Sequence, residues 1–280
     1  MTKKELDKII TNVLNGRKKH TYNSNYMLYE RTNENLLELF NQYDVKDKEV
    51  LTVLASSDQA LSCYYKGASK IDTFDKSPTT LFYFYLRKWL ILYQNRLYPR
   101  PKFFENGDLE LYELVCNIEP TNPDEQKAQT FWKYYLEQTN YTADQYLFDR
   151  GYCRESTPFE NDIDGIKNFF NKKLSFKCFD MFTPFDIKKK YDVIILSNML
   201  EYIPFTQSLL DQVRINIETL LKDDGIAICS YKLTKQKEIS HRQEVKVLTS
   251  NNLYIDKSIT CYEPLLACDK DLAYSYRLKK

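Results

Sequence analysis

Residues 50–78, VLTVLASSDQALSCYYKGASKIDTFDKSP, decide how the rest of the chain is read. Val50-Leu51-Thr52-Val53-Leu54-Ala55 is short, continuous and rich in β-branched residues, as expected of a strand buried on both faces of a parallel sheet. The small polar Ser56 and Ser57 end it at once. Asp58 to Lys66 resumes helical spacing and Gly67 closes that helix. Lys70-Ile71-Asp72-Thr73-Phe74-Asp75 is a second strand ending in an acid, so the stretch predicts a βαβ unit. Ser77-Pro78 predicts an N-cap followed by proline at the first helical position, opening a long helix through Leu81, Tyr85, Trp89 and Leu92.

The ends of these two strands are chemically matched. In a doubly wound sheet the ligand crevice lies outside the carboxyl ends of the strands. Small residues after the first strand let a ligand approach backbone N–H groups at the next helix start, and an acid after the second strand accepts from both hydroxyls of a ribose. Asp75 follows Ala55 by twenty residues, which selects an adenosine-type ligand. There is no Gly-x-Gly-x-x-Gly run, and Asp58 beside the loop would repel phosphates, so a dinucleotide is disfavoured. Two plainer readings stand beside this one. Asp75 can be a strand-end acid capping the next helix, a task for which Ser77 is also available. Ser56, Ser57 and Asp58 can be the N-cap of theirs, which is compatible with binding because the same N–H groups serve both.

Working outward, Leu6, Ile9, Ile10, Val13 and Leu14 recur at helical spacing and Gly16 follows them. A second helix is predicted from about Asn33 to Tyr43, with Thr32 as its N-cap. Residues 1–48 are thus expected to be N-terminal helices. From 98 to 165 the texture changes to prolines (Pro99, Pro101, Pro120, Pro123, Pro158) and aromatics, with helical patches at Leu109 to Val115 and Glu125 to Gln138, which predicts a helical insertion or lid. Strand patterns return with Ser175 to Asp180 and Tyr191 to Ser197, followed by a helix from Phe205 to Leu221, the turn Asp223-Asp224-Gly225 and the strand Ile226 to Ser230. Tyr254 to Thr260 and Leu272 to Leu278 complete the sheet as an antiparallel edge pair. The expectation is an α/β protein with a Rossmann-like, mostly parallel sheet with an antiparallel edge strand, its binding domain formed by 49–97 and 166–280. No internal repeat is found.

Composition excludes several classes. Lys plus Arg total 40 against 39 Asp plus Glu, so no global field draws the protein to nucleic acid or an anionic membrane. Seven cysteines stand singly with no Cys-x-x-Cys pair, which argues against a disulfide framework and a zinc site and for a reducing, cytoplasmic setting. The lysine-led N-terminus mixes Glu5, Asp7 and Asn12 into its apolar positions, unlike a secretory signal. The most apolar run, Leu81 to Tyr93, is interrupted by Arg87 and Lys88 and falls short of the ~18 residues of a spanning helix. His20 and His241 are the only histidines, far apart, which disfavours metal catalysis and a Ser-His-Asp triad. Lys188-Lys189-Lys190 reads as a solvated turn. The aromatic stripe of Leu81 to Tyr93, with Arg87, Lys88, Arg96, Arg100 and Lys102, reads as core plus a wet face, and is the first place to look for a lipid or RNA surface.

The quoted stretch, together with FKCFDMF, YDVIILSNMLEYI and LLKDDGIAICSY further along, resembles the class I S-adenosylmethionine-dependent methyltransferases over roughly Glu49 to Ser230 plus the terminal strand pair. The resemblance implies S-adenosyl-L-methionine as cofactor, with Asp75 as the ribose acid, Asp180 holding the adenine amino group and Met181 beside the ring. Further cofactor contacts are implied at Ala55, Ser56, Ser57, Asp58, Lys76 and Ser197. Asn198 and Glu201 follow the fourth strand, where the transferred group would lie. Glu201 is read as a general base or as part of a solvated helix start. No Asn-Pro-Pro-Tyr follows that strand, so exocyclic amines of nucleic-acid bases are poor acceptors. A small molecule or a lipid is the expected partner. The first loop departs from the family's glycine-rich form, and serine costs more than glycine there if positive φ is required.

YERTNENLLELF, the stretch from SSDQALS to LRKW, and LSNMLEY are in addition similar to betaine lipid synthases, in which the same cofactor donates its aminocarboxypropyl arm. Methyl transfer leads on breadth. Aminocarboxypropyl transfer to a lipid or other acceptor is the second reading, and a binding protein that keeps the fold without turnover is the third, supported by the missing loop glycines.

Overall fold

A computed structural model of the chain describes residues 2–18, 26–99, 106–142, 147–149, 157–171, 175–184, 187–202, 206–232, 238–262 and 270–280. His20, Arg100, Pro101, Lys102, Cys153, Phe205 and Cys268 lie outside the described residues.

Seven strands form the main sheet: β1 (Glu49–Val53), β2 (Lys70–Asp75), β3 (Ser175–Cys178), β4 (Tyr191–Ser197), β5 (Leu221–Lys232), β6 (Leu253–Tyr262) and β7 (Lys270–Leu278). Their order is β3-β2-β1-β4-β5-β7-β6. β1 to β5 pair in parallel, as strands joined by crossover connections do. The chain winds outward from β1 to β3 and then restarts on the other side of β1 with β4, so the winding reverses between these two central strands. β7 runs against both β5 and β6, so the antiparallel member of the terminal pair stands one place in from the edge. This is the Rossmann-like, mostly parallel sheet with an antiparallel strand toward one edge that the sequence led us to expect.

The period of two along the strands sorts the core into two layers. Val50, Val193 and Ile195 face the layer built by α1 (Lys3–Lys18), α2 (Leu36–Gln42), α3 (Asp58–Tyr65), α4 (Thr79–Gln94), α5 (Leu109–Asn117) and α6 (Pro123–Gln138). Leu51, Val53, Ile194 and Leu196 face the other layer, with α8 (Gln207–Leu220) and α9 (Glu238–Leu248) behind them; a short α7 (Ile163–Lys167) leads into β3.

The aromatic stripe of α4 is core from Leu81 to Ile91, while Tyr93 is exposed. α6 packs on it with Trp132 Nε1 donating to the Phe82 carbonyl at 2.7 Å, while Glu125 accepts from Lys88 and Trp89 at 2.8 Å each. Arg87 is fully buried and Arg96 pairs with Asp108, so Arg87, Lys88 and Arg96 are engaged internally. Leu28–Tyr29 pairs in parallel with Phe148–Asp149, fixing the N-terminal segment against the end of the 98–165 region. No helix among the described residues is long and apolar enough to cross a membrane.

Local differences from the sequence reading have physical causes. α1 runs through Gly16 to Lys18. Asn35, not Thr32, caps α2 through its side chain; Thr32 Oγ1 accepts the Glu34 N–H, ahead of the first turn. Pro78, not Ser77, stands at the start of α4, with no side-chain cap; the Ser77 hydroxyl is bonded to Thr79 Oγ1 and its N–H to Asp75. β5 is assigned from Leu221, and its register shifts before Ile226. A Cβ on Gly225 in that bend would lie 2.9 Å from Leu221 Cδ1 and 3.0 Å from two carbonyl oxygens, so only glycine fits.

Candidate ligand crevice at the carboxyl ends of the strands

The reversal between β1 and β4 leaves an opening where their flanking helices diverge to opposite faces. A cavity of about 390 Å3 occupies it, within the size range of small-ligand sites. Ala55 after β1, Asp75, Lys76 and Ser77 after β2, Phe179 to Phe182 after β3, and Ser197 to Met199 after β4 all line it. A larger cavity, about 740 Å3, opens around the first residues of β2 and β3, and none of the site residues predicted from the sequence lines it.

Asp75 joins the two loops directly. One carboxylate oxygen accepts the Ala55 N–H at 3.0 Å and the other the Ser77 N–H at 2.9 Å. A carboxylate offers about four lone-pair positions, so each oxygen keeps one for a ligand. Burial pushes the Asp75 carboxyl up to about 6 against the lowering effect of those N–H groups and of Lys76. The plainer reading of Asp75 is thus also present in the structure, since it ties down the backbone ahead of α4.

The first loop carries strain. Ala55 has φ +40° and Ser57 φ +75°, both in the left-handed region that glycine enters freely. Ser197 at the end of β4 has φ +57°. Three non-glycine residues in this region around one opening is the kind of clustering found at functional sites.

Ser56 and Asp58, expected at the cofactor from the sequence, do not line the crevice and are buried beneath the loop. Asp58 is fully buried and accepts from Arg87 Nη1 at 2.7 Å, the Thr32 N–H at 2.7 Å, Ser56 Oγ at 2.9 Å and the Tyr98 hydroxyl at 3.1 Å. Arg87 also donates to the Ser56 carbonyl at 2.6 Å and the Leu97 carbonyl at 3.0 Å. The carboxylate is neutralised from below and clamps the loop instead of facing a ligand. Ser57 is buried as well, with its hydroxyl lacking a hydrogen-bond partner.

Asp180 lines the crevice while one oxygen accepts the Phe182 N–H at 3.1 Å, so the residue also shapes its own turn. Phe179 stacks on Phe74 with ring centroids 4.8 Å apart, and with Met181 these rings form an apolar wall. Asn198 lines the opening and donates to Asn33 Oδ1 at 3.1 Å. Glu201 sits in the 3-10 turn Met199–Tyr202, with its N–H on the Asn198 carbonyl, and does not line the cavity.

The sequence reading missed Met27 and Tyr29, which close the crevice from the N-terminal segment; no described residue of 98–165 lines it. It also missed Glu34 and Gln59, buried beside Ser197. No periodic signal marks these residues.

No protein-family model and no curated protein matches the chain. Among solved structures it is similar to the glycopeptide N-methyltransferase MtfA complexed with S-adenosyl-L-methionine, at 7% identity over 93% of this chain and 98% of that chain, TM-score 0.49. It is also similar to a TehB-like SAM-dependent methyltransferase from Corynebacterium glutamicum (8% identity, 99% and 100% coverage, TM-score 0.45). A third is the N-methyltransferase NodS from Bradyrhizobium japonicum in complex with S-adenosyl-L-homocysteine (10%, 88% and 84%, TM-score 0.41). These likenesses are of chain path at low identity, and the crevice described above stands on this chain's own strand pairing and contacts.

Proposed function

We propose that the chain is an S-adenosyl-L-methionine-dependent transferase, with methyl transfer as its reaction. The observation that carries this reading is the convergence of the Ala55 backbone and the Asp75 carboxylate on one opening at the strand-order reversal. When bound, the cofactor supplies a methyl group already activated on a sulfonium. The chain's own residues then bind and orient. Asp75 accepts from the ribose hydroxyls through its two remaining lone-pair positions, Asp180 accepts from the exocyclic amine of adenine, and Phe179 and Met181 give the ring an apolar surface. Asn198 stands at the β4 end to fix an acceptor, and Met27 and Tyr29 restrict water over it. Alignment in a partly desolvated pocket is the larger part of the rate in such a reaction.

A second reading, aminocarboxypropyl transfer, is favoured by the apolar rim of Met27, Tyr29, Phe182 and Met199, which suits a lipid acceptor. Calorimetric titration with S-adenosylmethionine tests the shared premise, and a saturable heat with a raised melting temperature is expected. No heat and no melting shift at millimolar ligand would leave the fold as a binding module without this cofactor. With an acceptor in hand, S-adenosylhomocysteine as product means methyl transfer and methylthioadenosine means aminocarboxypropyl transfer.

A further inference from the structure

Behind the Ser197 wall of the crevice lies a carboxylate that no cation among the described residues pairs with. Glu34, just ahead of α2, is 3% exposed. Its Oε2 accepts from Gln59 Nε2 at 2.8 Å and from the Ser197 hydroxyl. Gln59 Nε2 also lies 3.2 Å from Ser197 Oγ. Glu34 Oε1 and Gln59 Oε1 are both buried and have no hydrogen-bond partner. Among the described residues no lysine or arginine pairs with Glu34, whereas the equally buried Asp58 has Arg87 against it. Buried acids are ordinarily paired, because removing a lone charge from water is costly. After burial, the charges of Glu244 and then Glu34 are among the causes that push the Cys229 thiol up, so negative charge from both reaches this spot.

We propose that Glu34 supplies the counter-charge for a cationic group of the ligand held in the crevice beside Ser197. The inference rests on the cofactor reading above, whose ligand carries two such groups, a sulfonium and an α-ammonium. Ser197 is the contact between them, because it lines the crevice and donates its hydroxyl to Glu34. A charge in a water-excluded wall acts across a few ångströms with little screening. Glu34 is therefore a positioning residue, and the ligand completes an ion pair that the protein leaves open.

Wild type and Glu34→Gln, titrated by calorimetry with S-adenosylmethionine, S-adenosylhomocysteine and methylthioadenosine, test this. The variant keeps the volume and an acceptor for Ser197 while removing the charge. It is expected to bind S-adenosylmethionine at least tenfold more weakly and methylthioadenosine, which has neither cation, within twofold of wild type. A parallel loss for S-adenosylhomocysteine assigns the ammonium, and a loss confined to S-adenosylmethionine assigns the sulfonium. Unchanged affinity for S-adenosylmethionine, or equal weakening of all three ligands, overturns the inference and leaves the cofactor reading intact. Failure of the wild type to bind any of the three overturns both. Should Glu34→Gln not fold, Glu34→Asp retracts the same charge by one methylene, and the same selective loss, smaller in size, is expected; affinities equal to wild type overturn the inference.

Discussion

At Asp75, burial raises the carboxyl to about 6, while the N–H groups of Ser77 and Ala55 and the charge of Lys76 hold it from rising further. In the unfolded chain an aspartate titrates near ~3.9. The folded state thus keeps the proton to higher pH. The stabilisation from that proton, roughly 3 kcal/mol, is fully present below about pH 4 and is lost as pH rises through about 6. Denaturant midpoints of wild type and Asp75→Ala, followed from pH 4 to 7, should therefore diverge, the wild type losing stability relative to the variant. Parallel curves would remove Asp75 as a titrating group. Nucleoside affinity should move the other way, rising through pH 6 as both oxygens become acceptors. Ser57 offers a second test at this scale. Its left-handed φ costs about 1–2 kcal/mol and its buried hydroxyl has no partner, so Ser57→Gly should raise stability by about 1 kcal/mol after glycine's own entropic cost. A lower unfolding midpoint in the variant would show that the serine side chain supports the loop.

Among the elements, the clamp from α4 to the first loop is where a single change costs most. Arg87→Met leaves the fully buried Asp58 carboxylate unpaired, and about 3–5 kcal/mol should be lost. The double variant Asp58→Asn/Arg87→Met should recover part of that loss, which chemical denaturation of the three variants measures; strictly additive losses would contradict the pair as the source. The same clamp shows what sequence can and cannot convey. β1, β2 and β4 were legible because their apolar, β-branched runs end abruptly in small or acidic residues, a pattern that local sequence carries in full. Asp58 was legible as a helix-start acid, but its partner is 29 residues away on another helix, and only packing decides that the side chain turns inward. α9 passed unnoticed because EISHRQEVKVL holds few apolar residues, of which Val247 and Leu248 are buried. Met27, Tyr29 and Glu34 come to the crevice through tertiary contacts of an irregular segment, and no periodicity precedes such a placement.

For the whole molecule, the sheet order dictates where a ligand can sit, and the chain concentrates its unusual features there. Strained backbone at Ala55, Ser57 and Ser197, a carboxyl displaced to about 6 at Asp75, and at Glu34 an acid with no cation among the described residues all gather at the carboxyl ends of β1, β2 and β4. The N-terminal segment completes this end, while α5 and α6 extend the core on the α4 side. A crystal structure of the protein soaked with S-adenosylhomocysteine tests the account most directly. We predict the ribose on the Asp75 carboxylate, adenine between Phe179 and Met181 within reach of Asp180, and the amino-acid arm running toward Ser197. Ligand density in the larger cavity beside Lys70 and Phe176, or an unfilled crevice at saturating ligand, would contradict it.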